Sequence, residues 1–256
     1  MLVQLWNSFE VSPSGGGWIE SIINNFKGNG SGDGAWPFSS LLFDGAGNLY
    51  GTASQGGTGD CGGGIGGCGA VFELTPSSGG WSERVLYNFQ GGAHGQLPIG
   101  GLVFDAAGNL YGTTEAGGGL ETCNSWYGCG IVFELSPGGS SWSESVVHIF
   151  SLHEGQNPYS GLVIGSTGSL YGVTPLGGVA GWGTAFELTP GTGGLWTESI
   201  LHNFGNGLDA AVPITPLIFG SDGNLYGASI VGGTHVTGPC LSGPPNGCGT
   251  VFQLTP

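Results

Sequence analysis

Few residue types in this 256-residue chain could do chemistry, and they recur at intervals rather than gather. Six cysteines fall into three local pairs, Cys61 with Cys68, Cys123 with Cys129, and Cys240 with Cys248. The even count and pairwise placement read as three disulfides, and hence as an oxidising compartment. A zinc site needs tighter ligand spacing and clustered histidines, and the chain offers neither. Glutamates repeat in two registers. Glu20, Glu83, Glu144 and Glu198 each stand two residues after a tryptophan (Trp18, Trp81, Trp142, Trp196). A ring of these acids could bind a cation or move protons. Alternatively, each is hydrogen-bonded to backbone or tyrosine at an outer strand edge, where the four would lie far apart. Glu10, Glu73, Glu134 and Glu187 form the second series, but Gln253 takes its fifth place. A catalytic carboxylate would not survive as an amide, so that series reads as structural.

The remaining candidates follow the same pattern. His148 and His202 share a register four residues after a glutamate, where the other repeats carry Tyr87 and Asn24, so this is a packing or edge position. The turn Asp44-Gly45-Ala46-Gly47-Asn48 offers one carboxylate, too few for calcium. Its counterparts begin at Asp105, Gly165 and Gly220, which suits an Asx-type turn. No serine sits in a nucleophile elbow and no cysteine is left over, so no hydrolase triad is supported. The expectation is a protein that is not an enzyme, with no metal and no cofactor.

Charge excludes several partners. Lys27 and Arg84 are the only basic residues against 17 acidic ones, for a formal charge of −15. Such a chain repels phosphate, so nucleic acid is excluded as a partner and anionic membrane surfaces are disfavoured. Two basic residues also leave trypsin almost nothing to cut, which suits life outside a cell. No stretch reaches the roughly 18 apolar residues of a membrane span. Met1 to Trp6 has no basic region of the kind that opens a signal peptide, so either this is not the gene's true start or export takes another route. Glycine contributes 58 residues, yet 39% of the chain is hydrophobic and recurs in register, so a core can form.

That register is the stretch Gly47-Asn48-Leu49-Tyr50-Gly51-Thr52. It returns with Tyr111, Tyr171 and Tyr226, at intervals of 61, 60 and 55 residues. A fixed period of this size marks a repeat architecture. Each repeat carries four segments. Segment a is apolar, such as Leu102-Val103-Phe104, and follows a proline (Pro37, Pro98, Pro158, Pro213). A tight Asp/Gly/Asn turn leads to segment b, the Leu-Tyr-Gly stretch, which is a hairpin signal. A Gly-Gly pair and a long loop come next. Segment c is Val71-Phe72-Glu73-Leu74-Thr75-Pro76 and its counterparts. Segment d runs from the tryptophan to Phe26, Phe89, Phe150 or Phe204 with alternating large residues, the period of a strand. Four short strands per repeat describe an antiparallel meander, and such sheets set around an axis make a β-propeller. The expected fold is therefore all-β and propeller-like, with four blades of four strands, segment a innermost and buried on both faces, segment d outermost, and Trp18, Trp81, Trp142 and Trp196 at equivalent core or inter-blade positions. A linear β-solenoid is the competing reading, but its repeats are usually shorter.

The pattern Gly101-Leu-Val-Phe-Asp-x-x-Gly-Asn-Leu-Tyr-Gly-Thr-Thr114, then Gly117-Gly118, then Gly130-x-Val-Phe-Glu-Leu-x-Pro137 resembles the bacterial repeat family called GloVer. It is similar, more loosely, to the blades of NHL-type propellers. The resemblance covers nearly the whole chain. It implies an exported or cell-surface bacterial protein and no established activity.

Strand counting supplies the functional expectation. Segments a, b and d occur four times, but c occurs five times, because Phe9-Glu10-Val11-Ser12-Pro13 aligns with Phe72 to Pro76. Four complete blades have room for one strand fewer. Residues 1–17 are thus expected to hold an extra strand, and 18–256 the four-repeat domain. Phe9 and Val11 at one end and Val251, Phe252 and Leu254 at the other compete for one slot. The displaced strand would present an unpaired edge, and Met1 to Val11 has no lysine or proline to blunt it. Strand addition to another copy would satisfy it and propagate head to tail. The expected function is an extracellular, self-assembling structural protein. The alternative is a secreted glycan-binding propeller using Trp36, Trp126, Tyr127 and Trp182 for stacking. Asn29-Gly30-Ser31 is the one N-glycosylation sequon.

Overall fold

The computed structural model describes residues 6–28, 32–62, 66–119, 123, 127–205, 209–234 and 247–256. Strands β1 (Trp6–Ser14) and β2 (Gly17–Phe26) form a hairpin that is a sheet of its own. Two short strands, β3 (Gly34–Ala35) and β6 (Gln55–Gly56), pair beside the first blade. That blade consists of β4 (Leu42–Phe43), β5 (Leu49–Ala53), β7 (Ala70–Ser77) and β8 (Gly80–Asn88). The second consists of β9 (Val103–Phe104), β10 (Leu110–Thr114), β11 (Ile131–Gly138) and β12 (Ser141–Ile149). The third consists of β13 (Val163–Ile164), β14 (Leu170–Thr174), β15 (Thr184–Pro190) and β16 (Trp196–Asn203). In all three the spatial order follows the chain and every pairing is antiparallel. The fourth sheet holds β17 (Ala210–Pro213), β18 (Ile218–Phe219), β19 (Leu225–Gly232) and β20 (Thr250–Leu254). The arrangement is a four-blade, propeller-like one with an extra N-terminal pair. No α-helix occurs among the described residues.

The recurrent Leu-Tyr-Gly has a packing explanation. Its leucine is buried in every blade. Its glycine makes room for the phenylalanine of the neighbouring c strand. A Cβ at Gly51 would stand 2.6 Å from Phe72 Cζ, at Gly112 2.6 Å from Phe133 Cζ, and at Gly172 2.6 Å from Phe186 Cζ. Gly227 gives Phe252 the same seat, at 2.5 Å. The last aromatic of each d strand then stands on the c-strand phenylalanine of the next sheet. Ring centroids are 4.9 Å apart for Phe26–Phe72, 5.0 Å for Phe89–Phe133, 5.0 Å for Phe150–Phe186 and 4.9 Å for Phe204–Phe252. The β1–β2 hairpin therefore packs on the first blade as each blade packs on the next.

Two expectations need correction. The a strands are not deeply buried. Each pairs for two residues only, and Phe43 and Ile218 are largely exposed, because an edge strand has a neighbour on one side alone. Burial in segment a is confined to the leucine before the strand, at Leu102, Leu162 and Leu217, and the rest of the buried layer lies in b and c. Nor are the four tryptophans equivalent. Trp142 and Trp196 pack against the preceding blade, the latter with its ring 5.8 Å from that of Tyr111, and Trp81 packs in the cluster that Phe26 of the hairpin shares with the first blade. Trp18, in the hairpin that comes first among the described sheets, is 71% exposed.

The prolines before segment a also have a place. The residues preceding them, Trp36, Leu97, Asn157 and Val212, are the four non-glycine residues with positive φ among those described. Leu97 and Asn157 donate their N–H groups to the carbonyls of Cys68 and Cys129, and Val212 to that of Trp182. Trp182 thus occupies the position that a cysteine holds in the neighbouring repeats.

Candidate functional site

The d-strand glutamates do not form a ring: Glu83, Glu144 and Glu198 each lie in a different junction between successive sheets, and Glu20 is exposed. At every complete junction a glutamate faces the polar residue of the preceding d strand and one side chain from the linking segment. Glu83 faces Asn24 and Asp33. Glu144 Oε2 lies 2.8 Å from His94 Nδ1, with the Tyr87 hydroxyl as a further partner. Glu198 Oε1 and Glu154 Oε2 lie 3.7 and 3.8 Å from His148 Nε2. Burial, then the charge of Glu154, pushes the Glu198 carboxyl up to about 8. Burial and then Asp33 raise Glu83 as well. Burial lowers His148, against the opposing pull of Glu154, and burial with Glu144 pushes the Tyr87 hydroxyl up to about 12.

The fourth junction has two of the three members. His202 Nε2 lies 2.6 Å from Asp209 Oδ2. A glutamate would come from the d strand of the fourth sheet, and that sheet has none among the described residues. Ser229 of β19 pairs with Pro213 on one side and Thr250 on the other, and Leu225 with Phe219 and Leu254. Strands β17 and β18 thus share one edge of β19, and β20 alone takes the other. Among the described residues, the outer edge of β20, where a d strand lies in the other blades, carries no strand.

At the opposite end of the stack, β1–β2 is a c–d hairpin without a and b. Its register is that of the internal hairpins. Val11 stands opposite Glu20 as Leu74, Leu135 and Leu188 stand opposite Glu83, Glu144 and Glu198. The irregularity at Ser8/Phe9 matches those at Val71/Phe72, Val132/Phe133 and Ala185/Phe186. Phe9 lacks a glycine seat and is 56% exposed, and Val11 and Glu20 are exposed as well. Phe252 and Leu254 are half-buried against the third blade, whereas Val251 is 77% exposed.

Other candidates resolve into structural roles. Asp44 Oδ1 accepts the Ala46 and Asn48 N–H groups at 2.8 and 2.9 Å, and its Oδ2 accepts Asn48 Nδ2 and the Tyr50 hydroxyl. Asp105 repeats this arrangement, which is the Asx turn expected. In the fourth repeat Asp222, two residues past the matching position, binds Asn224 and Tyr226 instead. Glu73 and Glu187 each accept a tyrosine hydroxyl at 2.8 Å. His148, Glu154 and Glu198 are the one group of described residues placed to share a cation, but the neighbouring junction fills the same positions with Tyr87, His94 and Glu144.

Cys61–Cys68 and Cys123–Cys129 are disulfides with Cα atoms 5.3 and 5.4 Å apart. Cys248 is disulfide-bonded too, while Cys240 lies outside the described residues, as do Trp126 and Asn29. Of the loop aromatics, Trp36 packs beside Phe38 at 5.9 Å, Tyr127 is exposed, and Trp182 lies against Gly205 just after β16. The linking residues Asp33, His94, Glu154 and Asp209 had no sequence signal, because their types differ and they do not all stand at one distance from the d strands.

Residues 119–256, more than half of the chain, match the Gloeobacter/Verrucomicrobia repeat. The chain belongs to this repeat family. No curated protein matches it. A solved structure, a protein of unknown function from Dyadobacter fermentans DSM 18053, is similar at 14% identity with a TM-score of 0.44. The alignment covers 76% of this chain and 61% of that one, so this Gloeobacter/Verrucomicrobia repeat chain spans under two thirds of its length.

Proposed function

We propose that the protein is a non-catalytic structural subunit of the bacterial cell surface that assembles head to tail with copies of itself. The observation that carries this reading is that the two ends of the sheet stack are complementary parts of one blade. Among the described residues, the last sheet has a, b and c without d, and the first hairpin has c and d without a and b. Joining them leaves one c strand too many, so Phe9 and Val11 of one copy exchange with Val251, Phe252 and Leu254 of the next. An exposed strand edge is a template for such addition, and β1 has no lysine along it. The donor and acceptor surfaces differ, so the contact repeats rather than closing in a pair. Two disulfides and a shortage of trypsin sites suit an extracellular setting. Deleting residues 1–13 tests the reading. Polymer seen by electron microscopy for the whole chain should disappear and monomer accumulate. Polymerisation unchanged by the deletion would refute it.

A further inference from the structure

We infer that Glu20 of a second copy docks against the His202–Asp209 pair and completes the fourth junction. This rests on the assembly proposed above and names the contact that fixes its register. Three junctions within the chain have the same plan, and in each the acid is the glutamate two residues beyond the d-strand tryptophan. Only Glu20 of that series faces solvent rather than a neighbouring sheet. Only the His202–Asp209 pair lacks such a glutamate among the described residues. The hairpin register carries Glu20 to the position that Glu83, Glu144 and Glu198 hold once β2 lies as the d strand of the fourth sheet. Exchange of either c strand brings β2 there. Simple addition of β1 outside β20 does not, since β2 would then lie one strand further out, about 4.8 Å away.

The third junction shows that such a seat accepts this charge set, because it too combines a histidine with two carboxyl groups. The same docking would bring Trp18 against the third blade, as Trp142 and Trp196 lie against the blades before theirs. Its exposure in the single copy then has a use.

Two single variants, Glu20→Cys and His202→Cys, test the contact when mixed above the critical concentration and treated with a short thiol cross-linker. Neither chain has a new pair of its own, so a cross-linked dimer holding one chain of each kind is the expected result. Glu20→Ala should raise the critical concentration about tenfold or more, as truncating one partner of a buried charged contact does, and leave the monomer's unfolding midpoint unchanged. Polymer without the cross-link would overturn this contact and leave the assembly reading standing. No polymer from the unmodified chain at any concentration would overturn both. A double variant that cross-links only within one chain would show β2 closing on its own fourth sheet, and would refute the second copy.

Discussion

Gly112 lies beneath the Phe133 ring with Leu102 on its other side, 2.6 and 2.9 Å from where a Cβ would stand. Gly112→Ala should therefore cost about 1–3 kcal/mol, the range for overpacking a filled core, in a denaturant titration. A loss below about 0.5 kcal/mol, the size of an ordinary surface effect, would mean that the ring does not sit there. The tryptophans divide by the same test. Trp142→Ala should cost about 3 kcal/mol, the low end for a large aromatic, because its ring is only partly buried. Trp18→Ala should leave the monomer within about 0.5 kcal/mol of the parent chain. Equal losses at the two positions would show Trp18 packed as well.

The junction carboxyls add a pH dependence of defined sign. Glu198 titrates at about 8 in the folded chain, above its ordinary 4.5. A group raised on folding gives its full stabilisation below the unfolded value and loses it as pH rises through the folded one. His148 is shifted the other way, so its cost appears below its ordinary 6.5. Between pH 6.5 and 9 Glu198 alone of this pair changes, and the thermal midpoint should fall across that window. Glu198→Gln should reduce the slope, with Glu83 supplying the remainder in the same direction. A variant with an undiminished slope would contradict the assignment.

At the scale of elements, the strands were legible in the sequence because their causes are local. Leu-Tyr-Gly, the alternation after each tryptophan and the Asp/Gly/Asn turns each act within a few residues. The depth of the a strands was not legible, since an apolar run looks the same at an edge as in a centre and only the neighbours decide. The junctions were half legible. The glutamate register and the Asn24, Tyr87, His148 and His202 register were both visible, but their meeting depends on how sheets stack. The loops between b and c show a further substitution of means, with a disulfide in the first two repeats and Trp182 in the third. A ring of this size removes chain entropy from the unfolded state. Reduction of Cys61–Cys68, seven residues apart, should thus cost about 2–3 kcal/mol by the loop-entropy relation. Replacing both cysteines with serine and measuring the thermal midpoint checks it, and an unchanged midpoint would show that packing alone holds the loop.

Across the whole molecule, the stack of sheets among the described residues begins with the c–d hairpin and ends with a sheet that shows no d strand. Among the described residues β1 and β2 are hydrogen-bonded to each other and not to β18, β19 or β20. Phe9, Val11 and Trp18 are exposed on one end and Val251 on the other, although exposed apolar side chains such as Val179 and Leu195 occur elsewhere too. The charge of −15 opposes association at low ionic strength, so salt should favour assembly by screening it. The most direct test of self-assembly is the size of the purified whole chain, followed by sedimentation over a concentration series with electron microscopy of the same samples. Head-to-tail exchange predicts a critical concentration above which long filaments of uniform width form. A single boundary at the 25.7 kDa of one chain, at every concentration and salt, would contradict it.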